Sequence, residues 1–168
     1  MSTLKSLSIQ VVRKATALGC SVATAESLTG GLIASSLAGI PGASKALMGG
    51  IVSYAPCVKR RLLSVPQEVI EGVGVVSAPC ASHMAKSARE RLSADLAVSA
   101  TGVAGPGGGT AETPVGTVFL AVADGMGVQV SERHFSGLRQ SVRRKAAKAA
   151  LQMMADALAT EIWKGRKG

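Results

Sequence analysis

Three short stretches of this chain hold residue types that could do chemistry together. The first is Ala25-Glu26-Ser27-Leu28-Thr29-Gly30-Gly31, which follows the small, partly β-branched run 20–24 and opens into Leu32-Ile33-Ala34-Ser35-Ser36-Leu37. The pattern reads strand, tight turn, helix, with Ser27 at the junction and Thr29-Gly30-Gly31 at the helix entrance. A hydroxyl there lies near unpaired backbone N–H groups and the positive end of a helix dipole. That place suits an anionic ligand or an alkoxide forming at a reacting centre. Ser and Thr also simply cap helices at such places, and on this stretch alone capping is the commoner role.

The second stretch is Ser53-Tyr54-Ala55-Pro56-Cys57-Val58-Lys59. A strand ends in Tyr54, and a helix opening at Pro56 carries Lys59, so the two polar tips can meet in one cavity. Lysine is a base only when neutral, which requires desolvation or a nearby positive field. A serine served by such a lysine is a known variant of the Ser–His–Asp arrangement. The third stretch is the glycine-rich loop Thr101-Gly102-Val103-Ala104-Gly105-Pro106-Gly107-Gly108-Gly109-Thr110, continuing to Pro114. No Gly-Lys-Ser/Thr follows it and it does not fit G-x-G-x-x-G, so neither common nucleotide fingerprint applies. It is either a flexible turn or a backbone stripped of side chains so that a ligand can approach N–H donors.

Other reactive residue types contribute less. His83 falls mid-helix and His134 late in a strand, with no Ser/Asp companions, which marks both as structural or surface residues. Cys20, Cys57 and Cys80 are odd in number and widely spaced, which disfavours a disulfide framework or a zinc site and fits a reducing cytoplasm. Cys20 reads as a small core residue, whereas Cys57 lies beside the second stretch.

The elements that must position these stretches follow from periodicity. Leu4, Leu7, Val11, Val12, Ala15 and Leu18 predict a helix over 3–18, closed by Gly19. A strand over 20–25, a helix from Thr29 to about Gly39 and a short helix capped by Ser44 through Met48 come next. A strand over 49–54 leads to the Pro56 helix, whose Val58, Leu62 and Leu63 point inward and whose Lys59, Arg60 and Arg61 point elsewhere. Ser77 and Pro79 start a helix to about Leu92. Leu96–Ala100 is apolar enough for a central strand. Two antiparallel strands, 115–123 and 128–135, turn around Asp124-Gly125-Met126-Gly127. One long amphipathic helix then covers 138–163. The alternation predicts a three-layer α/β/α sandwich with a mixed, mostly parallel sheet. Residues 1–164 read as one domain and 165–168 as a loose basic tail. In such sheets ligands sit outside the carboxyl ends of the strands, where all three stretches fall.

Composition narrows the function classes. The 168 residues are 47% hydrophobic with a mean hydropathy of +0.32, which suits a packed globule. Only Tyr54, Phe119, Phe135 and Trp163 are aromatic, so no stacking platform exists for single-stranded nucleic acid. No apolar run approaches the ~20 residues of a membrane span, and the amino terminus lacks a secretory pattern. The net charge of +9 gathers at Arg139, Arg143, Arg144, Lys145 and Lys148 and in Lys164-Gly165-Arg166-Lys167. This is the solvated face of a helix plus a tail, with attraction of acidic substrates as a by-product. The Ala-rich last helix with Met153-Met154 could support a homodimer.

The same three stretches resemble the CinA C-terminal domain family, whose characterised members are nicotinamide-nucleotide amidases. The matches are residues 25–31, then Gly50-Ile51-Val52-Ser53-Tyr54 with Lys59, and Ser77 with Pro79. They continue through Thr101-Gly102-Val103-Ala104-Gly105-Pro106, Pro114-Val115-Gly116-Thr117-Val118, and Phe135-Ser136-Gly137 with Arg139 and Arg143. The resemblance covers roughly residues 5–160 in the family's order. It implies hydrolysis of the carboxamide of nicotinamide mononucleotide to nicotinate mononucleotide and ammonia, without metal or cofactor. It also implies Ser27 as nucleophile, Lys59 as general base, and Tyr54 relaying a proton or orienting the pair. Glu26, Thr29, Gly30, Gly31, Thr101, Gly102, Gly105, Gly108 and Arg139 are the substrate-binding candidates. The oxyanion would be met by N–H groups of Thr29–Gly31 or of the Gly102–Gly105 turn, and the phosphate by the glycine loop and the Arg139–Arg143 region.

Two positions depart from the pattern. Members often carry Tyr-Ser-Asn-Glu-Ala-Lys where this chain has Tyr54–Lys59, and many have Lys where Thr113 precedes Pro114. The amino-terminal molybdopterin-binding-like domain of longer members has no counterpart here, which implies a stand-alone form. Two other readings stand beside the amidase: a nucleotide-binding domain without turnover, motivated by Pro56 and Thr113, and a competence-related interaction module, motivated by the charge.

Overall fold

The computed structural model describes residues 2–160. Ten regular elements follow one another: α1 (Leu4–Leu18), β1 (Val22–Glu26), α2 (Leu32–Ala38), β2 (Leu47–Val52), α3 (Pro56–Leu63), α4 (Ala78–Arg91), β3 (Leu96–Gly102), β4 (Thr117–Ala123), β5 (Val128–His134) and α5 (Arg139–Ala157). A short 3₁₀ turn at Ala43–Lys45 and a single π turn at Val69–Val73 interrupt the connections. The strands form one sheet in the order β2-β1-β3-β4-β5. β1 pairs in parallel with β2 and β3, β4 runs against β3, and β5 runs against β4. Four strands therefore point one way and β4 alone opposes them. This is the expected mixed three-layer sandwich.

Alternation along the central strands assigns the two faces. Val22, Leu96, Val98 and Ala100 pack with α1, α2 and α5, while Ala23, Ala25 and Ala97 pack with Leu63 of α3 and Cys80, Met84 and Ala88 of α4. Every residue of β1 is buried, and alanines leave room for helices on both sides. The chain moves from β1 to β2 on one side and then to β3 on the other. The carboxyl ends of all three strands therefore open onto one crevice, the arrangement that makes a ligand site in α/β sheets.

Boundaries follow local chemistry. Thr3 and Ser6 form a reciprocal capping box on α1, and Gly19 closes that helix at φ 62°. Ser77 caps α4 by accepting from the Cys80 amide at 3.3 Å. The predicted short helix through Met48 is corrected to the 3₁₀ turn, because Leu47 pairs with Val22 of β1 as the start of β2 and Met48 bulges between that pair and the next.

Two other expectations change. In α3 it is Lys59 and Leu63 that face inward, at 1% and 0% exposure, whereas Leu62 is 41% exposed. Apolar periodicity misjudged that face because a buried lysine replaces one of its apolar positions. The last helix stops at Ala157, and the turn at 158–160 ends it. Its expected end at Trp163 and the basic tail 165–168 lie outside the described residues. Met154 is fully buried in the domain's own core, and Met153 packs against that core while staying half-buried. Among the described residues, no helix is long and apolar enough to cross a membrane.

Candidate active site

The centre of the site is the amine of Lys59, which α3 carries beneath the end of β1. Its Nζ lies 2.8 Å from Ser27 Oγ, 2.6 Å from the Ser53 carbonyl and 3.1 Å from the Tyr54 carbonyl. Burial lowers the pKa of Lys59 from 10.5, an effect that a charged Cys80 would oppose. Burial in turn pushes the Cys80 thiol up to about 11, so it stays neutral at ordinary pH and leaves desolvation in control.

The oxygens around Nζ decide how a neutral amine sits. Carbonyls only accept, so the two N–H groups of a neutral Lys59 go to Ser53 and Tyr54. The lone pair is then left for the Ser27 hydroxyl. Ser27 itself is held by donation from its backbone N–H to Ala100 O at 2.9 Å, and it is only 8% exposed. A charged Lys59 would donate to all three oxygens; a neutral one can take a proton from the Ser27 hydroxyl.

Ser27 and Lys59 open into a cavity of about 240 Å³. Of the residues singled out in the sequence, Ser27, Tyr54, Lys59, Thr101, Gly102, Gly105, Gly108 and Arg139 line it. The loop supplies donors: the backbone N–H groups of Ala104, Gly105, Gly107 and Gly108 donate to no acceptor among the described residues. Gly105 sits at φ +79°, and a Cβ there would come within 2.5 Å of Val115 Cγ1, so this turn requires glycine. Val75 and Val76 add an apolar wall that no motif announced. Thr101 fixes that wall by donating from Oγ1 to Val75 O at 2.7 Å.

Four expected binding residues face away from the cavity. Glu26 is fully buried, and its carboxylate accepts from the N–H groups of Gly31 (3.0 Å), Ile33 (3.0 Å) and Ala34 (2.8 Å) and from Thr24 Oγ1 (3.2 Å). Strand alternation aims it at the α2 layer, where it neutralises the helix dipole that was expected to serve an anion. Gly30 N–H is likewise spent on Ser27 O at 3.0 Å, and the buried Thr29 hydroxyl has no partner among the described residues and does not line the cavity. The Gly30 and Gly31 amides are therefore spent on a structural cap, while the N–H groups of Leu28 and Thr29, like those of the glycine loop, donate to no acceptor among the described residues, and Leu28 lines the cavity. Glu26→Gln is expected to lower unfolding free energy by about 2 kcal/mol, because one amide oxygen cannot serve three backbone donors. Urea denaturation monitored by circular dichroism checks this.

Tyr54 also differs from expectation. The residue is 58% exposed and its phenol does not meet Lys59; the phenol oxygen accepts from Arg139 Nη2 at 2.7 Å, while only its main-chain carbonyl contacts the amine. Arg139 donates in addition to Gly105 O at 2.9 Å. The two side chains bridge the rim of the cavity. Cys57, flagged by proximity in sequence, is exposed and not part of the lining; Cys80 is the thiol beside Lys59. His134 is exposed and pairs with Glu132 at 3.0 Å, away from the site.

Comparison with known proteins agrees with this architecture. Residues 4–158 match the model of the CinA C-terminal domain. The chain belongs to that family. A CinA-like protein of Anaeromyxobacter sp. (strain K) is 47% identical over 148 residues, covering 88% of this chain and 36% of the relative. One from Acidobacterium capsulatum is 46% identical over 136 residues, covering 81% of this chain and 33% of the relative. The chain thus spans about a third of the length of these curated relatives. Among solved structures, the competence/damage inducible protein CihA from Agrobacterium tumefaciens superposes with a TM-score of 0.91 at 40% identity, covering 95% of this chain and 98% of that one. A competence damage-inducible protein A from Klebsiella pneumoniae gives 0.92 at 31% identity, with coverage of 95% and 99%.

Proposed function

We propose that this CinA-family domain is an amidohydrolase that deamidates nicotinamide mononucleotide, with Ser27 as nucleophile and Lys59 as its base. The observation that carries the reading is the triangle of oxygens around Lys59 Nζ, which points the lone pair of a desolvated amine at one serine. Ser27 Oγ attacks the carboxamide carbon as its proton passes to Lys59, giving a tetrahedral intermediate. The free amides of Ala104 and Gly105 are the candidate donors to its oxyanion, a role worth ~3 kcal/mol per donor. Lys59 then returns the proton to the leaving nitrogen, ammonia departs, and an acyl ester remains on Ser27. Water, deprotonated by the same amine, releases the nicotinate product and restores the hydroxyl.

The rest of the cavity suits the remainder of such a substrate. Val75 and Val76 offer an apolar wall to a flat ring, and Arg139 with the Gly107 and Gly108 amides offers positive partners to a phosphate. The two departures from the family pattern leave the Ser–Lys pair intact. Pro56 occupies the first turn of α3, where a missing N–H costs nothing. Thr113 bonds to Thr110 and does not line the cavity.

The test is ammonia release measured on nicotinamide mononucleotide, the dinucleotide and free nicotinamide. Turnover of the mononucleotide in preference to free nicotinamide is expected. Saturable binding without ammonia at high protein concentration would instead establish a nucleotide-binding domain. Arg139→Met is expected to raise KM for the mononucleotide about tenfold or more, the scale of a lost charge-assisted contact, with a smaller change in kcat.

A further inference from the structure

Two arginines one turn apart on α5 reach the site, and they do different things. Arg139 lies at the rim, on Tyr54 Oη and Gly105 O. Arg143 lies deeper, donating from Nε to Leu28 O at 2.9 Å and from Nη2 to Thr29 O at 3.0 Å. Its remaining nitrogen, Nη1, donates to Gln140 Oε1 at 3.0 Å. It does not line the cavity. We propose that Arg143 is a positioning residue for Ser27, fixing the Leu28–Thr29 and Thr29–Gly30 peptide planes of the turn that carries the nucleophile. This inference rests on the Ser27–Lys59 reading above.

Peptide geometry gives the reason. In a trans peptide the carbonyl and the next N–H point in opposite directions. Arg143 therefore grips the Thr29–Gly30 plane at its oxygen while Ser27 O holds its N–H at 3.0 Å. The preceding plane is gripped at Leu28 O. Glu26 then pins the Gly31 N–H, so the turn is anchored on both flanks of Ser27 by buried or half-buried polar groups. A guanidinium holds the two carbonyls through separate nitrogens, Nε and Nη2, set in one rigid planar fork, whereas a lysine would have to reach both from a single atom on a flexible stem.

The surroundings are shaped for that fork. Gly30 adopts φ +58°, and a Cβ there would stand 3.3 Å from Arg143 Nη2. The guanidinium thus lies against a residue whose missing side chain makes room for it. The platform is rigid, since Val142, Ala146 and Ala147 seat this part of α5 in the core at 0% exposure. Releasing the turn would let Ser27 Oγ drift from the amine, and displacements near 1 Å cost about 10²-fold in rate.

The test compares wild type, Arg143→Lys and Arg143→Ala by three readouts. These are the rate at which a fluorophosphonate probe esterifies Ser27, kcat and KM for ammonia release, and the urea unfolding midpoint. Arg143→Lys is expected to slow both labelling and kcat by about tenfold to 10²-fold with KM within about twofold. Added guanidinium is expected to restore part of the labelling rate in Arg143→Ala and none in Lys59→Met. Labelling and kcat at the wild-type rate in Arg143→Lys would overturn the proposal. So would a change confined to KM, or a rate loss that follows the unfolding midpoint and resists guanidinium. Wild-type protein that labels on Ser27 but releases no ammonia sinks the substrate assignment alone. Wild-type protein that never labels sinks both.

Discussion

Ser27→Ala is expected to reduce ammonia release on the order of 10⁴-fold or more, the scale at which loss of a nucleophile leaves only binding and oxyanion effects. Lys59→Met should lose about 10²–10⁴-fold or more, because it removes the base from both the acylation and the deacylation step. The double variant should be no worse than the more damaged single one. Residues that act as a unit give strongly non-additive losses, and here one hydrogen bond joins them. The Ser27 substitution should barely alter the fold. It deletes one hydroxyl whose partner keeps the carbonyls of Ser53 and Tyr54, a change of about 1 kcal/mol in urea denaturation. Ammonia release by Ser27→Ala at the wild-type rate would remove the covalent route altogether.

How far the site could be seen in advance depended on whether chemistry or neighbours decided each position. The strand-turn-helix around Ser27 and the Pro56 start of α3 were legible, because small residues, glycines and proline act locally. The convergence of three strand ends was legible too, since parallel β1, β2 and β3 must open on one side. Glu26 was not. Its role is set by strand alternation carrying it to the α2 side, where three backbone donors wait, and a motif cannot say which layer a side chain enters. The inward turn of Lys59 defeated apolar periodicity for a related reason. Nothing in a helix pattern favours burying an amine, and what allows it is a pair of carbonyls contributed by another segment. Tyr54 offers the converse case: its backbone serves the amine while its side chain serves Arg139, 85 residues away. By charge Arg143 belongs to a solvated basic face, and the family pattern sets its region beside the phosphate; its tertiary contacts with Leu28 and Thr29 put it at the turn instead, outside the cavity lining.

The pH dependence should report Lys59 twice, once in rate and once in stability. In rate, only the neutral amine accepts the Ser27 proton. On the acid side kcat/KM should therefore climb by about tenfold per pH unit and level off once Lys59 is neutral. Because burial lowers its pKa from 10.5, the plateau should begin below the range of an ordinary lysine. In stability, the unfolded chain holds the Lys59 proton up to 10.5 while the folded chain releases it earlier. Between those two values the unfolded state binds more protons, so stability rises with pH across the window. Below the folded pKa both states are protonated, and the cost of keeping an ammonium buried is fully present. Lys59→Met lacks that cost at every pH. Its unfolding free energy relative to wild type should therefore fall as pH rises through the window, which urea denaturation at several pH values measures. A gap that stays constant while the rate still climbs would place the titrating base on a group other than Lys59, since one proton equilibrium must govern both curves.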